Sequence, residues 1–594
     1  MIRRVDASLL AASHWAAPSL AIALLVLAAA TSAIRDDVAA VYHATGLDYS
    51  TLRKSTAFNG FPLDAVAQGL DAYLPSGEPV ALGPRLTASN FLRQRVTEVI
   101  YPRLVAARAE HQLELGEDSN GVQLVAAENA LSIVLLGGVP KAAAATGSRS
   151  SADALSAGAL LLASITVFGL GLAAMLAIGE RDLKRQPAMA VLVYAAFALA
   201  LLYACTSWVQ WPLAHFAAIV VATVGYVVTA CLLAKRRLAL PELAGVIRTP
   251  ENAIAAGFVV YLFTRALVWP VSLWDGRSIW LFQAHRLFER GLLTRAELTA
   301  PDTLWSHPDY PLLMPAWLAL FAGTGGVFSE RQAALGLALL LTAVFLVLWT
   351  LARECLGRIT GGAFVLALAA ATDHLNGGAY ADGLLVFMLA SATLALLGGH
   401  ETLAFVLLGA GSLTKGEGLV LGVVLAVCLA WTSLRRAPWQ AAVFAPALVH
   451  KAWTAWLGAD SLLKGKSPHD VLVDVPSRLW KALTLAPSLL DSDGYTRARG
   501  LLWAGPAAVL AIVVVVAITR ARPSAPVLKL ACAATLTAVF AFGSVSLLPG
   551  AIDWFVATAL DRLLLHATML FCLAALVSAR RDLVAHDFDH LGHP

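Results

Sequence analysis

The residues able to do chemistry in this chain sit in short polar turns between long apolar runs. Trp274-Asp275-Gly276-Arg277 directly follows one such run, and Ser306-His307-Pro308-Asp309-Tyr310-Pro311 lies farther along the same polar stretch. Tyr380-Ala381-Asp382-Gly383 and Thr414-Lys415-Gly416-Glu417-Gly418 each open a later run. Arg562 and His566 stand near the start of the last run, at a spacing that places both on one face of a helix. Carboxylates such as Asp275 and Asp382 can take a proton from a hydroxyl. Lys415 and Arg562 can hold a phosphate, one as a point charge and the other through its planar fork.

Each of these residues also has a plainer reading. Asp382 can be a charge stabilised by a helix N-terminus, Lys415 and Glu417 can simply pair, and Pro308 and Pro311 can merely fix the start of a helix. Arg562 can snorkel to a membrane boundary, but His566, a turn deeper, needs a partner or a wet cavity. Glycines on both sides of Glu417 let backbone approach a ligand closely, and they also suit a tight turn. Asp275, His307, Asp309 and Glu417 could serve a divalent ion, yet they form no metal-binding spacing, so no metal or other cofactor is assigned.

The elements that must position these turns are membrane spans. The chain has 594 residues, is 59% hydrophobic and 14% charged, and has a mean hydropathy of +0.72, against roughly 25% charged residues in a soluble domain. That excludes a soluble multidomain enzyme. A formal net charge of +4 is too small to imply a nucleic-acid partner. The six cysteines lie in or beside apolar runs with no CxxC pair, so they read as buried thiols rather than disulfides or zinc ligands.

Apolar runs near 18–34, 153–178, 187–206, 213–233, 252–272, 331–350, 361–378, 383–399, 402–414, 419–434, 437–457, 501–519, 526–546 and 562–578 predict about fourteen crossings of an all-α polytopic membrane protein. Arg3 and Arg4 keep the N-terminus cytoplasmic, and the first run reads as an uncleaved anchor, 1–34, rather than a signal peptide. With that start, Arg181, Lys184, Arg185, Lys235, Arg353, Arg358, Arg435, Arg436, Arg520, Arg580 and Arg581 all fall on the cytoplasmic side, as does the tail, 581–594. Pro311 to Gly323 is too short to cross and reads as a half-embedded helix. Every chemical turn named above then faces the exterior of the plasma membrane.

Ser278 to Leu293 has the pattern of a helix lying in the membrane interface. Arg265, deep in its span, must face the bundle interior. Residues 35–145 form a polar exported segment. A helical pattern over Ala88 to Ile100 and apolar runs at Pro79–Leu82, Gly121–Ala126 and Leu131–Leu136 predict a small extracytoplasmic α/β domain. An Ala- and Ser-rich linker over 142–158 and accessory spans to residue 250 separate it from a membrane module over 251–580.

A span ending in an outward Asp, an interfacial helix, a His-Pro turn leading into an apolar run, an Asp heading a later span and a Thr-Lys turn, in that order, resemble the GT-C superfamily of polyprenyl-phosphate-dependent glycosyltransferases. The likeness is to its protein-mannosyltransferase-like and aminoarabinose-transferase-like branch, and it covers roughly Ile254 to Val577. It implies a polyprenyl-phosphate-sugar donor, a saccharide, lipid or protein acceptor, and transfer at the outer leaflet of the bilayer. It makes Asp275 the catalytic base and Asp382 the acid that orients donor or acceptor. It places Lys415 at the lipid phosphate and His307 at the turn that begins the juxtamembrane segment. Glu417, Arg562, Asp309, Arg277 and His566 complete the expected substrate-binding set. Gly276 stands where the branch often has a second acid, and Asp309 interrupts its usual His-Pro-Pro turn. The rival expectation is a transporter or flippase of lipid-linked saccharides, which would place ionisable groups near the midplane of repeated halves.

Overall fold

Leu63, Val66, Leu70 and Leu74 recur at helical spacing and are almost wholly buried, which fixes one face of a short helix against a sheet. In the computed structural model the described residues are 39, 41–46, 48–58, 63–74, 78–101, 105, 109–115, 122–126, 132–136, 250–290, 295–300, 303–323, 327–377, 379–459, 468–485, 524–547 and 552–579. The predicted spans at 18–34, 153–178, 187–206, 213–233 and 501–519, the linker and the tail fall outside them.

The small α/β unit contains α1 (Tyr49–Ala57), α2 (Asp64–Tyr73), β1 (Val80–Leu82), α3 (Asn90–Ile100), β2 (His111–Leu115), β3 (Val122–Ala126) and β4 (Ser132–Leu136). Its sheet has the order β1-β2-β4-β3, with β1 parallel to β2 and the other neighbours antiparallel. The Ser89 hydroxyl caps α3 by accepting from the Leu92 N–H, and the helix ends at Tyr101, before Pro102, where the backbone turns extended. The sequence pattern predicts α3 and three of the strands. It misses β2, because His111-Gln112-Leu113-Glu114-Leu115 alternates correctly but carries too few apolar residues to stand out.

The larger body is helical. It comprises α4 (Pro250–Val268), α5 (Phe282–Arg290), α6 (Leu313–Ala322), α7 (Glu330–Leu356), α8 (Arg358–Gly377), α9 (Ala381–Leu397), α10 (Glu401–Ser412), α11 (Gly416–Arg436), α12 (Ala445–Leu457), α13 (Pro468–Leu485), α14 (Ala525–Leu547) and α15 (Asp561–Ala579). Among the described residues four helices are long and apolar enough to cross a membrane: Glu330–Leu356, Gly416–Arg436, Ala525–Leu547 and Arg562–Ala579. Central α9 is buried from Ala381 to Leu396 and packs against α7, α8, α10, α11 and α15. The four described cysteines are free.

Three elements differ from the sequence expectation. The predicted span 437–457 is broken: Pro438 starts a 3-10 segment, Pro438–Phe444, and only the 13 residues of α12 are α-helical. At 1.5 Å per residue α12 is about 20 Å long, short of a roughly 30 Å hydrocarbon core. The polar stretch after it holds α13, which no apolar run announced. The described part of the predicted interfacial helix, 278–290, is helical but mostly enclosed, with only His285, Glu289 and Arg290 partly or fully exposed. Gly276–Leu281 forms a π-helical turn that is buried throughout, and Gln283 and Arg286 of α5 are also enclosed, at 0% and 1% exposure. It packs against α6 and against Tyr101 of the small domain. The half-length α6 is buried at every residue.

Candidate functional site

The site gathers at the N-terminal ends of three helices and at one loop. Asp382 lies in the first turn of α9, behind an extended Tyr380 and an Ala379 held at a φ of 58°. Lys415 is the N-cap residue of α11, with extended backbone. The Thr414 hydroxyl donates to the Ala410 carbonyl at 2.9 Å and ties this turn back to α10. Gly418 is needed for helix packing rather than for a ligand: a Cβ there would run into the Gly411 carbonyl of α10, while Gly416 faces open space. Arg562 and His566 share one face of α15, and Asp275 stands just before the π-helical turn.

Four ion pairs join these groups into one chain of alternating charge. Arg562 Nη1 lies 2.5 Å from Asp275 Oδ2 and 3.4 Å from Asp382 Oδ2. Lys415 Nζ lies 2.9 Å from Asp382 Oδ1 and 3.5 Å from Glu417 Oε1. The Tyr380 ring sits under the guanidinium at 5.0 Å. Asp382 is enclosed, with 1% of its side chain exposed, whereas Asp275 and Glu417 keep 22% and 21%. The row is therefore sealed at its middle and open at both ends. His566 Nδ1 lies 3.1 Å from the Arg562 carbonyl, which can only accept, so Nδ1 carries the proton. In a neutral ring that leaves Nε2 as an acceptor. Among the described residues, His566 Nε2 and Glu417 Oε2 are buried without a partner. Both therefore want a hydrogen-bond donor.

The His-Pro turn is rigid, as its prolines predict. His307 has a φ of 49°, its carbonyl accepts from the Tyr310 N–H at 2.9 Å, and its ring stacks on Tyr310 at 4.6 Å. Gln283 Nε2 donates to the Ser306 and His307 carbonyls at 2.5 and 2.7 Å. From α12, His450 donates to the Tyr310 carbonyl at 2.9 Å and Lys451 pairs with Asp309 at 2.7 Å. Asp309 thus faces Lys451 and belongs to the fastening of the turn, not to the charge row. His307 lies within electrostatic reach of Asp275, Glu417 and Lys415.

Arg277 is a second expected site residue that the structure takes elsewhere. It is wholly buried, pairs with Glu330 at 2.8 Å and Glu98 at 2.6 Å, and covers the Phe58 ring. Two residues after Asp275, on a wide π-helical turn, its side chain leaves the site for the small domain. Arg265 turns inward as expected, at 7% exposure, and donates to the Tyr261 hydroxyl at 2.9 Å. Sequence reasoning missed Tyr380, Tyr310, Gln283, His450 and Lys451. The last two had a signal, since adjacent ionisable residues inside a supposed span need a polar reason to be there.

Local fields follow from this packing. Burial pushes the His307 imidazole below its ordinary value despite the pull of Asp309 and Asp275. Burial likewise holds the Tyr310 phenol far above its own, with Glu417 and Asp309 adding to the effect, so it stays a donor. For Lys415 burial works the other way and loses: Asp382 and Glu417 keep the ammonium above its ordinary value.

No family model, curated protein or solved structure matches this chain. What the site can do therefore rests on its own chemistry. It offers a partly exposed carboxylate, two cations already facing carboxylates, and two acceptors awaiting donors. An entering phosphate would compete with Asp275 for Arg562, and hydroxyl groups would satisfy His566 and Glu417. Among the described residues, the His and Glu groups close enough to share an ion are Glu78, Glu110 and His111 of the small domain, not the four site residues considered for a metal.

Proposed function

We propose that this chain is a polytopic integral-membrane glycosyltransferase that moves a sugar from a polyprenyl-phosphate donor to an acceptor at the outer face of the membrane. The observation that carries this reading is the single charge row running Asp275, Arg562, Asp382, Lys415 and Glu417, assembled at helix ends from segments far apart in the chain. A transporter of lipid-linked saccharides would want its ionisable groups on interrupted helices at mid-depth.

In this reading the acceptor hydroxyl reaches Asp275 at the exposed end of the row. Its oxygen bonds to the anomeric carbon as the bond from that carbon to the phosphate oxygen breaks. The hydroxyl proton passes to Asp275, the electron pair leaves with the phosphate, and the anomeric centre inverts. Asp275 is a weak base, so it acts late, once positive charge has built up on the attacking oxygen. Arg562 and Lys415 meet the charge gained by the phosphate, each aimed contact contributing about 3–4 kcal/mol, and near-attack positioning contributes about 7–11 kcal/mol. Asp382, enclosed between both cations, is a positioning residue that sets their directions. His566 and Glu417 receive sugar hydroxyls.

The test is transfer of label from a radiolabelled polyprenyl-phosphate sugar into released product, with the purified full chain. Asp275→Asn is expected to lower turnover by about 10²- to 10⁴-fold while membrane insertion is unchanged. Turnover near wild type in that variant would remove Asp275 as the base, and label that changes leaflet without changing chemical form would favour a transporter.

A further inference from the structure

The segment around Asp275 is also gripped by the small domain. Arg95 and Glu98, one helical turn apart on α3 of the small domain, pair with each other at 2.9 Å. Arg95 Nη1 also donates to the Ser278 hydroxyl at 2.9 Å, and its guanidinium lies 5.3 Å from the centre of the Trp274 ring. Glu98 accepts from Arg277 at 2.6 Å. The two α3 side chains therefore touch Trp274, Arg277 and Ser278, the residues flanking Asp275 on both sides.

The grip is anchored in the bundle. Glu330, at the start of α7, takes Arg277 at 2.8 Å and Arg53 of α1 at 2.5 Å, and both guanidiniums lie near the Phe58 ring, 4.6 and 4.7 Å from its centre. Every charged member is at most 7% exposed. Water cannot replace any of these partners in place, so a displaced α3 would leave buried charges unmatched. Asp275 is the second residue of a helical stretch, 274–290, whose regularity is broken directly after it. It enters a π-helical turn of six residues, a geometry that is uncommon and needs outside support.

We propose that the small domain is a positioning element for Asp275, with Arg95 and Glu98 as its positioning residues, rather than an appendage or a docking module alone. The α3 pair fixes the π-helical turn, and the turn fixes the direction in which Asp275 meets Arg562. The kinetic consequence rests on the transferase reading; the structural one does not.

The experiment uses the full chain in detergent with Glu98→Gln, Ser278→Ala, which removes one hydroxyl and no charge, and Glu98→Asp as the conservative control. Hydrogen exchange is followed over residues 271–283, alongside transfer kinetics. For Glu98→Gln and Ser278→Ala the expected result is faster exchange confined to that segment and to α3, with turnover reduced roughly 10- to 100-fold at unchanged KM for the donor. Glu98→Asp is expected to restore most of both. Unchanged exchange in Glu98→Gln and Ser278→Ala overturns the proposal, as does faster exchange with full turnover. Faster exchange in a protein whose wild type transfers no sugar would support the grip while removing the transferase reading.

Discussion

Two buried ion clusters share one short segment of chain and are built to opposite designs. The row on the Asp275 side has three acids and two cations, is open at both ends, and leaves acceptors on His566 and Glu417 without partners among the described residues. The clasp on the Arg277 side has three cations, Arg53, Arg95 and Arg277, and two acids, Glu98 and Glu330. It is sealed throughout and filled in by aromatic rings. Burying charge costs several kcal/mol per ion unless each finds its counterpart, so neither cluster is an efficient way to gain stability. In the clasp the charges have found fixed counterparts and can only hold. In the row they are exchangeable at the ends, as a site that must accept an anion requires.

The largest expected effect breaks the clasp. Glu330→Gln leaves Arg53 and Arg277 without their shared carboxylate in a dry interior, at a cost of about 3–5 kcal/mol. Thermal unfolding in detergent checks this, and an unchanged melting temperature would mean that water reaches the cluster after all. In the row the corresponding change acts on chemistry more than on folding. Lys415→Met leaves Asp382 paired with Arg562, so the fold survives, while turnover is expected to drop about 10²- to 10³-fold. A Lys415→Met enzyme of normal turnover would show that the phosphate is not held at this end.

Sequence reasoning reached one cluster and overlooked the other for a physical reason. The row is built from residues that head apolar runs, so Asp275, Asp382, Lys415 and Arg562 announce themselves by standing at the boundaries of hydrophobic periodicity. The clasp is built from Arg95 and Glu98, which look like ordinary surface residues of an amphipathic helix, and from a Glu330 that looks like a favourable first-turn charge. Nothing local marks them as buried, since their burial depends on one body docking on another. The same limit explains Arg277: its neighbour Asp275 placed it in the site, but a π-helical turn rotates it away. Helices with unbroken apolar runs were legible, α9 to within two residues at each end and α7 at its start, although the apolar run stops six residues before α7 does. The break at Pro438 and the amphipathic α13 were not, because hydropathy averages over a proline and gives little weight to a helix of mixed composition.

A smaller effect concerns pH and sharpens the contrast on the row's side. Burial depresses the His307 imidazole, so the neutral ring is the form that the fold prefers. The contribution is fully present above the ordinary histidine value of about 6.5 and is lost as pH falls through the lowered folded value. Melting temperature should therefore decline with acidification in that window. The decline should be shallower in His307→Asn, a residue that tolerates the positive φ of this turn. Equal slopes for the two proteins would assign the acid sensitivity to other groups.

The smallest effect is expected where an ion pair belongs to neither cluster. Lys481 of α13 and Asp553 lie 2.9 Å apart, as close as Lys415 and Asp382, but with 51% and 61% of their side chains exposed. Solvent and salt screen such a pair, and ordering two flexible side chains offsets much of the attraction, so Lys481→Ala should change stability by about 0–1 kcal/mol and less in high salt. Measured beside Glu330→Gln, this variant sets one exposed lysine contact at 2.9 Å against a buried carboxylate that holds Arg277 at 2.8 Å and Arg53 at 2.5 Å. If it cost as much as the clasp variant, distance alone would govern these pairs, and the distinction between a sealed cluster and an open one would lose its physical basis.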